Sequence, residues 1–374
     1  MVREGSLQTA AEPVVLVASA EFTLKSSAVR RTLEQRLIDD LKFALRREEL
    51  GCSRVEKEAA RLVVFGTKDT DLAAVVCRKV FGVAYAASAV LLINPTLDGI
   101  VQSIVGMAQQ ELSSGMSFAI RAHRSTSGHV SSHDVEVEAG TGVLRSCKER
   151  EVRVDLDDPD LTFYVDLTGA DAYVYCHKLN GPGGLPLWAE WKMLAVLDSG
   201  PLSVLAALAM MRRGCVVELF IPVSNTIANL TSAAQLALAQ RVGKLVTRPS
   251  YKAFVMEIGE LPVGRNFVTD WRDFVRASAV KFAREKRFKG LIFGEVAGQL
   301  SSLNSYSGLS PLPIFYPLLG LDEEDLSELV RLTALDSREL SLDWDSGGRS
   351  YASQSEMKLL IEELQVPSVR EVQF

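Results

Sequence analysis

The stretch M-L-A-V-L-D-S-G-P-L-S-V-L-A-A-L-A-M-M-R-R-G-C-V-V-E-L-F-I, residues 193–221, reads as a strand over Met193 to Leu197, a helix over Leu202 to Arg213 and a second strand over Val216 to Ile221. Short unbroken apolar runs of this kind belong to strands covered on both faces. Downstream, a helix is expected over Trp271 to Lys286, a strand over Gly290 to Phe293 and a helix over Glu323 to Leu332. Strands and helices in repeated alternation predict a doubly wound parallel sheet with helices on both faces.

Upstream, Asn180 to Pro186 (N-G-P-G-G-L-P) is the clearest break in the chain. Before it the pattern differs. Pro13 to Ala18 predicts a buried strand, and Leu33, Leu37, Ile38, Leu41 and Leu45 mark one face of a basic helix. Arg61 to Gly66 predicts a strand and Asp71 to Val80 a short helix. Leu97 to Leu112 has helical spacing, whereas Ser117 to Ala122, Val152 to Asp155, Thr162 to Leu167 and Ala172 to Tyr175 are strand-like. These segments predict two small α+β units ahead of the α/β one.

The chain has 374 residues, which favours two or three domains. With 47% hydrophobic and 24% charged residues, disordered and collagen-like classes are excluded. Forty-one Lys plus Arg against 47 Asp plus Glu give a net charge of -6, which excludes a globally basic nucleic-acid coat but not a local patch. Cys52, Cys77, Cys147, Cys176 and Cys215 form no C-x-x-C pair, so neither a zinc ribbon nor a disulfide framework is expected. The longest uncharged stretch, Phe220 to Gln240, is too polar to span a bilayer, and a soluble cytoplasmic protein without membrane contact is expected.

Several segments in fixed order resemble one family, the tRNA 4-thiouridine synthetases (tRNA sulfurtransferases, ThiI-like). "AEFTLKSSAVRRTLEQRL", with Glu21 and Lys25, is similar to the family's opening strand and helix, and "SFAIRAHRSTSGHVSSHDVE" to its THUMP strand and loop. "VRVDLDDPDLTFYVDL", "GPGGLP", "MMRRGCVVE", "VRASAVKFAREKRFKGLIFGEVAGQLSS" and "FYPLLGLDEEDLSELVRL" continue the likeness over nearly the whole chain. The resemblance implies a ferredoxin-like N-terminal domain over 1–73, an α+β THUMP domain over 74–178 and a PP-loop pyrophosphatase-like domain over 179–374.

It also implies a reaction in which ATP, with Mg²⁺, adenylates a uridine of tRNA and a persulfide sulfur displaces AMP. The family's phosphate cradle is Ser-Gly-Gly-x-Asp-Ser, whose glycines let backbone N–H groups converge on phosphate at a helix N-terminus. Here that position reads Asp198-Ser199-Gly200-Pro201-Leu202-Ser203. Pro201 lacks an N–H, Leu202 cannot bind a cation, and Asp198 puts negative charge where phosphate belongs. Gly200 and Ser203 remain as candidate contacts. Val196, Leu197, Ile221, Arg272 and Gly294 match positions of nucleotide contact, although strand core is the preferred reading for Val196, Leu197 and Ile221. Leu303 replaces a glutamine, and Ser346 falls where the family places its sulfur-carrying cysteine, which a hydroxyl cannot replace. Cys215 reads as core, and no ligands for an iron–sulfur cluster are present.

The RNA-binding half is better kept. Arg121, His123 and Arg124, then Lys148 and Arg150, supply a candidate phosphate-binding cluster, which Lys25, Arg30 and Arg31 extend. The competing reading is that these side chains merely solvate exposed faces. The expectation is a tRNA-binding relative, with no catalytic residue and no metal site assigned, that works as a homodimer or beside an active paralogue. An active sulfurtransferase with a non-standard loop and an RNA-independent scaffold stay open. The acidic run Asp322 to Asp325 is expected to cap a helix.

Overall fold

The computed structural model describes residues 11–19, 26–58, 61–125, 130–198, 200–225, 230–246, 251–259, 271–296, 312–333 and 369–373. The chain divides into two compact units, one of residues 1–19, 41–78 and 83–181 and the other of 20–40, 79–82 and 182–374.

The first unit is built on β1 (Ala11–Ser19), β2 (Arg54–Glu58), β3 (Arg61–Phe65), β4 (Val83–Leu92), β5 (Ser117–Arg124), β6 (Arg153–Val154), β7 (Leu161–Thr168), β8 (Asp171–Tyr175) and β9 (Leu179–Asn180). They form one sheet in the order β2-β3-β1-β4-β8-β7-β5-β6, with β9 beside β4. The ladders are antiparallel except β5 with β6 and β5 with β7. β4 joins the two sequence-predicted α+β pieces, pairing with β1 from Ala11↔Leu92 onward and with β8 at Val90↔Val174.

α1 (Ser27–Arg47) is shared between the units, while α2 (Thr70–Cys77), α3 (Leu97–Glu111) and α4 (Ser132–Ser146) belong to the first. Each of the last three starts on a side-chain cap. Asp69 accepts from the Asp71 and Leu72 amides, Thr96 from Gly99 and Ser131 from Asp134, satisfying N–H groups that the helix leaves unpaired. Ile100 and Ile104 of α3 and Val135 and Ala139 of α4 pack on Phe118, Ile120, Phe163 and Val165 of the sheet. Gly142 lets the two helices approach, since a Cβ there would lie 3.0 Å from Val105.

The second unit holds β10 (Lys192–Val196), α5 (Pro201–Arg212), β11 (Val216–Val223), α6 (Ser232–Leu245), β12 (Lys252–Glu257), α7 (Trp271–Glu285), β13 (Leu291–Ile292), β14 (Ile314–Phe315), α8 (Glu323–Thr333) and β15 (Val369–Gln373). The sheet order is β14-β13-β10-β11-β12-β15, parallel throughout except for the antiparallel edge pair β12 and β15. Residues of β10 alternate between two cores. Met193, Ala195 and Leu197 pack with Leu205, Val242 and Leu329 of α5, α6 and α8, whereas Leu194 and Val196 pack with Val275, Ala279 and Phe282 of α7. The expected doubly wound architecture is therefore present. Asp322 accepts from the Asp325 amide at 2.9 Å, so the acidic run caps α8.

From β10 the chain steps outward to β11 and β12, then returns to the opposite side of β10 as β13. The carboxyl ends of β10 and β13 are thus the point where the winding reverses, the place where open α/β sheets present a crevice.

Candidate functional site

At that point the chain leaves β10 through Leu197 and Asp198 and leaves β13 through Phe293, Gly294 and Glu295. Gly200 stands at φ 56° and ψ −131°, a conformation open to glycine and costly for other residues, and it turns the chain into α5. Pro201 opens α5, where its fixed φ suits the first helical turn and its missing N–H breaks no helical hydrogen bond. Asp198 is fully buried, and its carboxylate receives the Arg276 Nε at 2.5 Å. A second nitrogen of Arg276, Nη2, is paired with Glu295. The side chains of Arg276 and Glu295 are 4% and 3% exposed.

Two carboxylates therefore clasp one guanidinium in an environment that discourages any uncompensated charge. The Arg276 guanidinium also lies 4.7 Å from the centre of the Phe293 ring, which stacks with Tyr316 at 6.0 Å. Burial pushes the Tyr316 hydroxyl well above the usual phenol range, and the negative charge of Glu295 adds to the effect. Arg272, one turn before Arg276, donates to the Asp198 carbonyl at 3.3 Å.

Other residues matched to nucleotide contact surround this network. Val196, Leu197 and Ile221 are buried in the two cores, as strand residues. Ser203 is buried, and its amide donates to the Gly200 carbonyl at 3.1 Å. Gly294 serves a close approach, because a Cβ there would lie 2.6 Å from the Ser203 nitrogen. Leu202 is buried in the same core as α5. Burial pushes the Cys215 thiol up to about 11, with Glu190 contributing, so that sulfur is held as a thiol. Ser199, Leu303 and Ser346 lie outside the described residues.

The candidate RNA contacts fall in several places. Arg121 and His123 are exposed and alternate with Ile120, so both lie on the face of β5 turned from α3 and α4, while Arg124 emerges on the other side. Arg121 donates to the Leu156 carbonyl. His123 lines a cavity of about 100 Å³ with Arg61, Asp166 and Tyr173. Asp166 is buried there, paired with Arg61 and accepting from the Tyr175 hydroxyl at 2.8 Å. Lys148 is exposed just after α4. Arg150 holds the end of α3 by donating to the Gln109 and Leu112 carbonyls at 2.7 and 2.6 Å. Arg30 pairs with Glu34 at 2.8 Å, and Arg31 is exposed on α1. Lys25 lies outside the described residues.

Sequence reading singled out Asp198 but not its partners. The signal for Arg276 was a charge within F-V-R-A-S-A-V, which this structure buries whole, and a buried charge demands a counter-charge. A second group it passed over is Tyr164 stacked on Tyr175 at 5.2 Å, with the Lys178 ammonium 3.4 Å from the Tyr164 ring centre.

Comparison with known proteins agrees with this architecture. Residues 14–87 match the ThiI ferredoxin-like domain, 94–177 the THUMP domain and 189–355 the thiamine biosynthesis protein (ThiI) domain. The tRNA sulfurtransferase of Pyrobaculum aerophilum is 30% identical over 331 residues, which is 84% of this chain and 65% of that protein. The probable tRNA sulfurtransferase of Methanosarcina mazei is 30% identical over 336 residues, 85% of this chain and 82% of that protein. A 4-thiouridine synthetase solved with RNA and bound ATP shares the fold, with a TM-score of 0.74 and 17% identity, over 96% of this chain and 100% of that one. A Pyrococcus horikoshii protein does so with a TM-score of 0.66 and 24% identity, over 86% and 100%. Among the described residues no helix is long and apolar enough to cross a membrane. With the three domain matches in order and the identity sustained along most of its length, the chain belongs to the tRNA sulfurtransferase (ThiI) family.

Proposed function

We propose that this chain is a tRNA-binding member of its family, gripping the acceptor region of tRNA through its THUMP-containing unit without carrying out adenylation or sulfur transfer. The observation that supports this reading is the buried Asp198–Arg276–Glu295 cluster at the reversal point of the sheet. The Asp198 carboxylate and the Arg276 guanidinium are committed to each other, and Glu295 holds a second nitrogen of the same guanidinium, so the pair is engaged within the protein rather than offered to a polyphosphate or its cation. Around it, Pro201 offers no N–H, the Ser203 amide is given to Gly200, and Leu202 has no oxygen for a cation. The residues present do not fit ATP and Mg²⁺ in the family's manner.

RNA binding rests on the THUMP match and on the exposed cations Arg121 and Lys148 with His123, which suit phosphate and sugar contacts to a shaped RNA end. A second copy of the chain, or an active relative, would supply chemistry to the tRNA held in this way. The solved 4-thiouridine synthetase carries ATP, and the retained Gly200 and Gly294 favour a second reading, an active enzyme with an altered loop. Equilibrium binding of ATP–Mg²⁺ to the purified chain separates the two. No saturable binding at millimolar ATP is expected, and ATP-dependent thiolation of tRNA would reverse the conclusion.

A further inference from the structure

The end of α3 and the end of β8 bring three different metal-ligating side chains together. Glu111 is the last residue of α3, and Cys176 and His177 directly follow β8. The Glu111 carboxylate lies 3.0 Å from the His177 Nε2, and one ligand atom from each of Glu111, Cys176 and His177 falls within 4.8 Å of the others. Among the described residues no other group of three such side chains is gathered in this way. A tetrahedral zinc ion with bonds of about 2.0 to 2.3 Å sets its donors roughly 3.3 to 3.8 Å apart, so small side-chain rotations close the set around one ion.

The surroundings favour a cation. The Glu111 carboxylate brings negative charge to the point shared with the Cys176 sulfur and the His177 ring. The neighbouring cation points elsewhere, since the Lys178 ammonium sits over the Tyr164 ring. The backbone is held on both sides, by Arg150 on the carbonyls that flank Glu111 and by the antiparallel pairing of β8 with β7. Cys176 is half-buried while Glu111 and His177 are exposed, which leaves a fourth position open to water.

We propose that Glu111, Cys176 and His177 form a binding site for a zinc-type transition-metal dication that clips α3 to β8. One sulfur, one imidazole nitrogen and one carboxylate oxygen suit Zn²⁺ or Co²⁺, whereas Mg²⁺ and Ca²⁺ prefer sites of oxygen alone. An ordinary surface His–Glu ion pair would bring no thiol to the same point.

Titrating the full chain with Co²⁺ tests this. One equivalent is expected to produce thiolate-to-cobalt charge transfer and the visible bands of tetrahedral Co²⁺, both erased by Zn²⁺ and untouched by Mg²⁺. Cys176→Ser is expected to remove the charge-transfer band and weaken Zn²⁺ binding at least about 100-fold, because losing even an outer partner of a ligand costs roughly 10- to 100-fold. His177→Ala and Glu111→Gln alter exposed side chains and keep the test valid if the cysteine variant folds poorly; each should weaken binding at least about tenfold. Cys52→Ser, which changes the other partly exposed thiol, should leave the spectrum intact. Absence of the cobalt bands in the unmodified chain, or their survival in Cys176→Ser, would overturn the proposal.

Discussion

Replacing Arg276 by methionine strips the cation from between two carboxylates that are 0% and 3% exposed, and leaves both without it in the interior. Methionine fills most of the aliphatic volume, so the loss is chiefly electrostatic, with the Phe293 contact a smaller part. Removing one partner from a buried pair costs about 3 to 5 kcal/mol, because the remaining charge keeps its desolvation penalty. For a unit of this size 1 kcal/mol moves Tm by about 2 to 4 °C, so Arg276→Met should melt roughly 6 to 20 °C lower. The triple variant Asp198→Leu, Arg276→Met, Glu295→Met removes these three charges together and should recover most of that loss, since replacing a buried ion cluster by apolar side chains is often neutral. Urea unfolding of the full chain, followed by far-ultraviolet circular dichroism, gives the comparison. If Arg276→Met lost less than about 1 kcal/mol, the cluster would be hydrated and could not be regarded as a buried ion pair.

Further outcomes follow from the same structure. Gly294→Ala places a Cβ 2.6 Å from the Ser203 nitrogen, a backbone atom that cannot rotate away, and should cost about 1 to 3 kcal/mol of unfolding free energy. Changing Arg121 to Ala should weaken tRNA binding and lower the slope of log affinity against log salt by about 0.7 to 0.9; unchanged binding would remove that face of β5 from the RNA interface. Burial raises the Glu218 carboxyl above its usual range, against the opposing pull of Lys192 at 2.9 Å. A raised folded-state value contributes stability at low pH that is lost as pH rises through it. Glu218→Gln should therefore equal or exceed the parent in stability at neutral pH and lose that advantage on mild acidification, and a loss of stability at neutral pH would refute the assignment.

The doubly wound unit was legible because β10 and β11 are unbroken apolar runs separated by a helix, a pattern that little else produces. β4 was not, because Ala84, Ala86, Ala87 and Ala89 carry weak strand preference; only its place between β1 and β8 makes it a strand. α4 was hidden by Gly140-Thr141-Gly142, residues poor in a helix, one of which α3 requires for close packing. β15 pairs with β12 from more than a hundred residues away, and no local pattern carries that information. At the site, the peculiarities of Asp198, Pro201 and Leu202 were visible one residue at a time. The pairing of Asp198 with Arg276, a cation that Glu295 shares, was not, since it depends on α7 and β13 converging on the end of β10. Arg150, expected from the sequence as an RNA contact, also holds the end of α3, a bond set by tertiary position.

The most direct measurement is the binding of labelled tRNA to the purified chain with and without ATP and Mg²⁺, followed by assay of the bound RNA for 4-thiouridine in the presence of a sulfide donor. Tight, salt-sensitive binding unaffected by ATP, with no thiolated nucleoside, is the expected result. Formation of 4-thiouridine would contradict it and establish the Asp198 to Ser203 turn as a working phosphate loop.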